Sequence, residues 1–253
     1  MTKIVLLGAG NVASHLYKAF NHSKNADLVQ WYNRSINSIK PFENEVNITD
    51  QLDQLIEADV YIVCVSDDAI ETLTSALPFK DRLVVHTSGS ASLYDIDKKL
   101  FRGVFYPLQT FSKSVNLDFT TVPICIETLR KEDFKLLQTL GENLGCKTYK
   151  VNPDQRPALH LAAVFVNNFT NQIYRIAHEI TERHGAEFDI LKPLITETAR
   201  KIQDVSPYMA QTGPAKRNDK KTIKRHLNLL DNEHHEAIYK LMTSSIKKTH
   251  NGR

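Results

Sequence analysis

The chain has 253 residues, of which 42% are hydrophobic and 24% are charged, and its formal net charge is +3. These values are ordinary for a folded protein, and the length allows two domains or one large one. The small net charge excludes the strongly basic composition of proteins that bind nucleic acid through charge alone. No apolar run reaches the ~20 residues of a membrane span. We therefore expect neither a nucleic-acid partner nor a membrane partner.

The cysteines indicate a reducing compartment. Cys64, Cys125 and Cys146 lie far apart and form no Cys-x-x-Cys pair. An odd, scattered set favours reduced core thiols over a disulfide framework or a metal site. The first residues have a strand pattern and lack the basic, apolar and small-residue regions of a signal peptide. We therefore expect a cytoplasmic protein without a bound metal.

A glycine turn near the start of the chain follows a run of strand-forming residues. Lys3 to Leu7 predict a buried strand, and Gly8-Ala9-Gly10-Asn11-Val12-Ala13 follows before a helical pattern begins. In this order, free backbone N–H groups and the positive end of the helix dipole form a diphosphate site. We predict that Gly8, Gly10, Asn11 and Val12 bind a dinucleotide. The alternative is an ordinary tight turn between a strand and a helix.

The second predicted strand selects the kind of dinucleotide. Asp27 to Tyr32 has a strand pattern, and Asn33-Arg34-Ser35 follows it. A site for NAD(H) usually has a carboxylate here, about 20 residues beyond the glycine turn, to bind the ribose 2′-hydroxyl. An arginine beside short polar side chains instead suits a 2′-phosphate. We therefore predict NADP(H), bound by Asn33, Arg34 and Ser35; the alternative for Arg34 is an exposed turn arginine.

Two further apolar strands end in polar loops. The run at 57–66 ends in Ser66 and Asp67, and the run at 83–85 leads into His86-Thr87-Ser88-Gly89-Ser90. Ligands of open α/β sheets bind outside the carboxyl ends of the strands. We therefore assign Ser66 and Asp67 to the cofactor and place the chemistry near His86 and Ser88. The alternative for His86 is a strand-end histidine that is hydrogen-bonded to the backbone.

Strand and helix patterns alternate up to residue 152, and helical patterns follow. Strands are predicted near 103–111, 123–127 and 147–151, and a helix over 132–144. Two prolines in the segment 152–157 mark a boundary. We predict a dinucleotide-binding domain at 1–152 and a helical domain at 153–253. The fold class is α/β, with a Rossmann-like, doubly wound, mainly parallel sheet followed by an all-α C-terminal domain.

An apolar seam runs along the first helical stretch of the second half. Its residues recur at alternating spacings of three and four: Leu159, Ala162, Val166, Phe169, Ile173, Ile176 and Ile180. This spacing predicts one long helix that packs against another helix, so we expect a homodimer through the C-terminal helices. His160, Asn167 and Asn168 lie off the seam among apolar residues. We expect these three to be buried, in interhelical hydrogen bonds or at a substrate.

Two later segments are less specific. A helix is predicted over 187–205, with a kink at Pro193. The segment 216–225 carries six basic residues against one acid. Such a run is usually a solvated helix face, and the alternative is a rim that attracts anions.

Five motifs in the two halves of the chain are informative together. They are Gly8-Ala9-Gly10-Asn11-Val12-Ala13, His86-Thr87-Ser88-Gly89-Ser90, the segment 103–111, His160-Leu161-Ala162-Ala163-Val164-Phe165 with Asn168-Phe169, and Gln211-Thr212-Gly213-Pro214-Ala215-Lys216-Arg217. With these motifs the chain resembles a bacterial family of two-domain proteins assigned as NADP-dependent oxidoreductases, which pair a Rossmann-like domain with a helical domain of unknown function. More distantly, the chain is similar to pyrroline-carboxylate reductases and β-hydroxyacid dehydrogenases, which often dimerise through the helical part. The dehydrogenases carry a catalytic lysine four residues before an asparagine. Ala163 and Val164 stand at that spacing here, so the resemblance does not imply the hydroxyacid reaction.

These residues predict a reductase or dehydrogenase that moves a hydride between NADP(H) and a small-molecule substrate in the cleft between the domains. His86 or His160 would supply the proton, since imidazole titrates near neutral pH. Ser88, Ser90 and Asn168 would hold a carbonyl or an imine. One alternative is a non-catalytic NADP(H)-binding sensor. Another is a nucleic-acid-associated protein that uses the basic run.

Overall fold

The computed structural model describes residues 1–112, 115 and 117–251. The strands are β1 Thr2–Leu7, β2 Ala26–Tyr32, β3 Ile48–Thr49, β4 Val60–Val63, β5 Leu83–His86, β6 Phe101–Pro107, β7 Ile124–Thr128 and β8 Thr148–Lys150. They form one eight-stranded sheet in the order β3-β2-β1-β4-β5-β6-β7-β8.

Continuous apolar runs build the centre of this sheet. Ile4 to Leu7 of β1 have no exposed surface, and every residue of β4 and β5 is buried. Strands of this kind require cover on both faces, which is the situation of a parallel sheet between helices. β1 pairs in parallel with β2 on one side and with β4 on the other. The strand order therefore reverses direction between β1 and β4, and a crevice opens beyond their carboxyl ends.

Helices cover the two faces. They are α1 Asn11–His22, α2 Ile70–Ser75 and α3 Lys131–Asn143. Ile4 and Leu6 share one apolar cluster with residues of α1 and α3, whereas Val5 and Leu7 belong to a second cluster with Ile70 of α2. β7 is antiparallel to β6, and β8 is parallel to β7 at the edge. The prediction of a doubly wound, mainly parallel sheet is confirmed.

The remainder of the described chain is helical, as predicted. The elements are α4 Gln155–Ala163, a π-helical segment Val164–Phe169, α5 Thr170–Arg183, α6 Lys192–Asp204, α7 Pro207–Ala210, α8 Lys220–Leu229 and α9 Glu233–Asn251. None of the helices in the described ranges is long and apolar enough to cross a membrane. The chain divides into two compact units, 1–167 and 168–253. The domain limit at residue 152 stays a prediction, and residues 252 and 253 of the predicted second domain lie outside the described residues.

Two details of the helical half differ from the sequence prediction. The predicted long helix contains six π-helical residues, Val164–Phe169. Because hydrogen bonds there span five residues, the uniform spacing assumed for the seam does not hold across this segment. The predicted kink at Pro193 is wrong, since Pro193 lies in the first turn of α6. A proline costs no hydrogen bond at that position, because the first N–H groups of a helix have no partner within it.

Candidate functional site

A groove of about 510 Å³ lies at the carboxyl ends of the central strands. The segments that line it follow four different strands of the sheet: Gly8 to Val12 after β1, Asn33 and Ser38 after β2, Cys64 to Ser66 after β4, and Thr87 after β5. This is the place where the strand order reverses, which is where open α/β sheets bind their ligands. Of the predicted cofactor residues, Gly8, Gly10, Asn11, Val12, Asn33 and Ser66 line the groove.

Gly8 and Gly10 both suit the turn, but for different physical reasons. Gly8 has a φ of +111°, and a Cβ on it would lie 2.3 Å from the carbonyl oxygen of Cys64. No other residue fits this position without strain, because the backbone conformation and the space both exclude a side chain. Gly10 has a φ of −74°, and a Cβ there would meet only the Cys64 oxygen, at 3.9 Å. Gly8 therefore permits the backbone conformation of the turn, whereas the missing side chain of Gly10 keeps the surface of the groove clear for a ligand.

The N-terminus of α1 is prepared for an anion. Gly10 caps the helix without a side-chain hydrogen bond, and its first turn contains no acidic residue. The leading N–H groups of a helix have no intrahelical partner, and the dipole makes this end positive. Buried Trp31 stabilises the turn, because its indole Nε1 donates a 2.7 Å hydrogen bond to the carbonyl oxygen of Gly8. The groove thus combines free donors, positive potential and a fixed turn, which fits a dinucleotide diphosphate.

The segment after β2 lies at the same edge of the sheet. Asn33 lines the groove, and its Nδ2 donates to the carbonyl oxygen of Ser35 at 2.9 Å. Arg34 and Ser35 are exposed. Within the described residues, the Arg34 guanidinium makes neither an ion pair nor a hydrogen bond. No partner among these residues competes with an anion for this guanidinium.

The loop after β5 has its hydroxyl protons already engaged. Ser88 Oγ accepts hydrogen bonds from the N–H groups of Ser90 and Ala91, at 3.1 and 2.9 Å. Ser90 Oγ lies 3.3 Å from Ser88 Oγ and donates to Asp67 Oδ2 at 2.6 Å. The Ser88 proton therefore points to Ser90, and the Ser90 proton points to Asp67. These hydrogen bonds join the loops after β4 and β5. Asp67, a predicted cofactor residue, accepts the last of them and does not line the groove.

His86 is the last residue of β5 and has no exposed surface. Its Nδ1 accepts a hydrogen bond from the N–H of Ser88 at 3.2 Å, so its Nε2, 3.2 Å from the carbonyl oxygen of Ser92, carries the proton. Burial, and next the charge of Arg156, lower the pKa of His86 from 6.5 to about 4. Near neutral pH the ring is therefore uncharged, and both nitrogens support the loop.

This burial predicts a dependence of stability on pH. Because the folded pKa is below the unfolded one, the unfolded state binds the proton more tightly. The protein should lose about 3 kcal/mol from this group as the pH falls from 6.5 to 4. Urea unfolding at several pH values should show a flatter dependence for His86→Gln than for the wild type. The exposed His22→Gln is the control; equal slopes for His86→Gln and the wild type would contradict the assignment.

A second histidine, His160, contacts the same loop at Gly89 and is more exposed than His86. His160 of α4 is partly exposed, and its Nδ1 lies 3.0 Å from the hydroxyl oxygen of Tyr106. Gly89 packs against both rings, since a Cβ on it would lie 2.5 Å from Nδ1 of His160 and 2.7 Å from the Tyr106 ring. Burial raises the pKa of Tyr106 to about 12, so its hydroxyl keeps its proton. Whichever partner donates in this hydrogen bond, the other retains one proton for a further acceptor.

A buried ion pair contacts the same loop. The Nε of Arg156 lies 3.0 Å from Glu127 Oε2, and the Nη1 donates to the carbonyl oxygen of Ser88 at 3.2 Å. Arg156 and Glu127 are both buried, at 1% and 5% exposure. Their contacts join α4, β7 and the loop after β5.

Sequence reasoning did not identify Tyr106, Glu127 or Arg156 as site residues. Arg156 precedes His160 by four residues, so a helical spacing could have placed both on one face of α4. Asn167 and Asn168, which the sequence predicts to be buried, are exposed. Asn168 begins the second unit, and its assignment to a substrate stays a prediction. Among the described residues, no group of three His, Cys, Asp or Glu side chains could hold a metal ion.

Two family models match separate parts of the chain. Residues 3–89 match a family described as "NADP oxidoreductase coenzyme F420-dependent". Residues 122–246 match a domain of unknown function. No curated protein gives a significant match.

Solved structures extend the comparison to nearly the whole chain. A Bacteroides fragilis protein provisionally assigned as an NADP oxidoreductase is 39% identical, with 98% of each chain covered and a TM-score of 0.86. A 1-pyrroline-5-carboxylate reductase from Streptococcus pyogenes is 15% identical, with 99% and 97% covered and a TM-score of 0.66. An imine reductase from Myxococcus stipitatus, solved with NADP+, is 16% identical, with 97% and 93% covered and a TM-score of 0.67. At these lower identities the last two show a shared fold alone. The chain belongs to the family of two-domain NADP oxidoreductases represented by the Bacteroides protein.

Proposed function

We propose that the protein transfers a hydride between NADP(H) and a small-molecule substrate. The observation that carries this proposal is the groove at the strand reversal, with a helix N-terminus that has no side-chain cap on one side and the Arg34 guanidinium at the same sheet edge. Gly8, Gly10, Asn11 and Val12 would hold the diphosphate, and Asn33, Arg34 and Ser35 the 2′-phosphate. The nicotinamide supplies the hydride chemistry when bound.

The protein must then manage one proton. A carbonyl or imine that receives a hydride on carbon needs a proton on its oxygen or nitrogen. His86 has both ring nitrogens in hydrogen bonds, and the protons of Ser88 and Ser90 are engaged. The partly exposed His160 and the Tyr106 hydroxyl share a hydrogen bond, and the partner that does not donate in it retains a proton. His160 is the more accessible of the two, because Tyr106 is buried. We therefore assign the proton to His160, while Ser88 shapes the loop; the location of the substrate between the two domains stays a prediction.

The second candidate function is a non-catalytic NADP(H)-binding sensor. It is favoured by Ala163 and Val164, which stand at the spacing where the resemblance to β-hydroxyacid dehydrogenases would place a catalytic lysine. A screen of small carbonyl and imine compounds, followed by the nicotinamide absorbance band, separates the two. Steady oxidation of NADPH with one of them supports the enzyme. Tight binding without turnover on any compound supports the sensor.

Arg34 provides a separate test of the cofactor. Arg34→Ala should weaken NADPH binding about 10- to 100-fold, because a charge-assisted contact to phosphate is worth about 1.5–3 kcal/mol. NADH affinity should change little. Isothermal titration with both nucleotides measures this, with the exposed Lys40→Ala as a matched loss of charge. An unchanged NADPH affinity in Arg34→Ala would remove Arg34 from the site.

The helical unit favours a homodimer, as the sequence predicts. Of its hydrophobic residues, only Ile176 and Ala215 in the described ranges are buried. Several large apolar side chains on its helices are 40% or more exposed, among them Phe169, Ile173, Leu194, Ile202, Leu229, Leu241 and Met242. Exposed apolar surface of this extent marks an interface. A second copy of the chain, supplying the same helices, is the partner that we propose.

A further inference from the structure

Arg156 and Glu127 form an ion pair in an unusual environment. In the part of the chain that the structure describes, it is the only ion pair with both side chains buried. The loss of hydration around two such charges can exceed their mutual attraction, so a buried pair gives little stability in return. Its presence requires another reason.

The contacts of Arg156 suggest a structural reason for the buried ion pair. Arg156 and His160 are four residues apart on α4 and therefore share one face of the helix. Arg156 holds the loop after β5 at the carbonyl oxygen of Ser88. His160 meets the same loop one residue later, where Gly89 leaves just enough space for the imidazole and the Tyr106 ring. One face of α4 thus contacts two successive residues of the loop, Ser88 through Arg156 and Gly89 through His160.

We propose that Arg156, anchored by Glu127, is a positioning residue that fixes the Ser88–Gly89 backbone and thereby sets the orientation of the His160 imidazole against Tyr106. The inference rests on the proposed role of His160 as the proton donor. Arginine suits the task because Nε and Nη1 point to two different acceptors, Glu127 Oε2 and Ser88 O, from one planar group. A lysine offers one ammonium point and cannot span both acceptors in this geometry.

The double variant Arg156→Met with Glu127→Leu separates positioning from stability. Removing one partner alone leaves a buried unpaired charge and should destabilise the fold, whereas replacing both by apolar side chains should keep it close to wild type. The contact with Ser88 is lost in either case. We expect the double variant to melt near the wild-type temperature and to bind NADPH normally. We also expect its His160 Nδ1 resonance to move in ¹⁵N NMR, and its kcat to fall with little change in KM.

Two further variants complete the experiment. The exposed pair Arg82–Glu57, changed to Met and Leu, is the matched control and should leave the His160 resonance unchanged. Arg156→Lys keeps the charge beside Glu127 and should still move the resonance, which protects the test if the double variant is unstable. A His160 Nδ1 resonance identical to wild type in a folded variant without the Ser88 contact would overturn the inference. Failure of NADPH to bind the wild type would instead overturn the proposed function, because the ring resonances report position without any cofactor.

Discussion

Replacing His160 with glutamine is expected to lower reductase turnover by about 10²- to 10⁴-fold, the usual contribution of a positioned proton donor. NADPH affinity should stay unchanged, because His160 does not line the cofactor groove. Tyr106→Phe should cause a smaller loss, since it removes only the hydroxyl that contacts Nδ1. Steady-state kinetics at saturating NADPH, combined with nucleotide titrations, measure both effects.

The control for this prediction is His234→Gln, an exposed histidine of α9. It should retain wild-type turnover. If His160→Gln also retained full turnover while His86→Gln lost it, the proton donor would be His86, in spite of its hydrogen bonds. If neither variant lost turnover, no histidine of this loop region would act as the donor.

Gly8→Ala and Gly10→Ala should separate folding from binding. Gly8→Ala should cost about 3–5 kcal/mol, because its φ of +111° is strained for alanine and the new Cβ would overlap the Cys64 oxygen. Gly10→Ala should cost about 1 kcal/mol or less, as expected for alanine at an N-cap. It should nevertheless weaken NADPH binding about tenfold or more, because a methyl group would occupy the groove surface beside the helix N-terminus.

Urea unfolding and isothermal titration of the two variants measure these effects. Gly10→Ala carries the prediction even if Gly8→Ala fails to accumulate as folded protein. Wild-type stability of Gly8→Ala would show that the turn tolerates a side chain. Wild-type NADPH affinity of Gly10→Ala would show that the diphosphate does not lie against this turn.

The strands and the cofactor groove were accessible from the sequence because their signals are local. A buried strand reads as an apolar run, such as 60–63, and the turn at Gly8 has a spacing that few other structures require. The position of the loops at the carboxyl ends then follows from parallel pairing alone. Seven of the predicted site positions, Gly8, Gly10, Asn11, Val12, Asn33 and Ser66 in the groove and Ser88 in the adjoining loop, are brought together in this way.

The residues around His160 were not accessible, because their contacts connect distant parts of the chain. Tyr106 and His160 are 54 residues apart, and Arg156 and Ser88 are 68 apart. Contacts over such separations produce no periodic pattern in the sequence. His86 is a local case: its place at the end of a strand allowed either a reactive loop histidine or a histidine hydrogen-bonded to the backbone, and its contacts with Ser88 N–H and Ser92 O agree with the second. The π-helical residues 164–169 likewise have no signal in the apolar spacing.

The central claim is that the groove binds NADP(H), and the chain carries a built-in reporter for it. Trp31 is the single tryptophan, and its indole donates directly to Gly8 of the turn. Titration with NADPH and NADH, followed by quenching of Trp31 and by energy transfer to the nicotinamide, measures both affinities. The account predicts saturable binding of NADPH, tighter than NADH by about tenfold or more. No saturable signal with either nucleotide, or tighter binding of NADH, would contradict it.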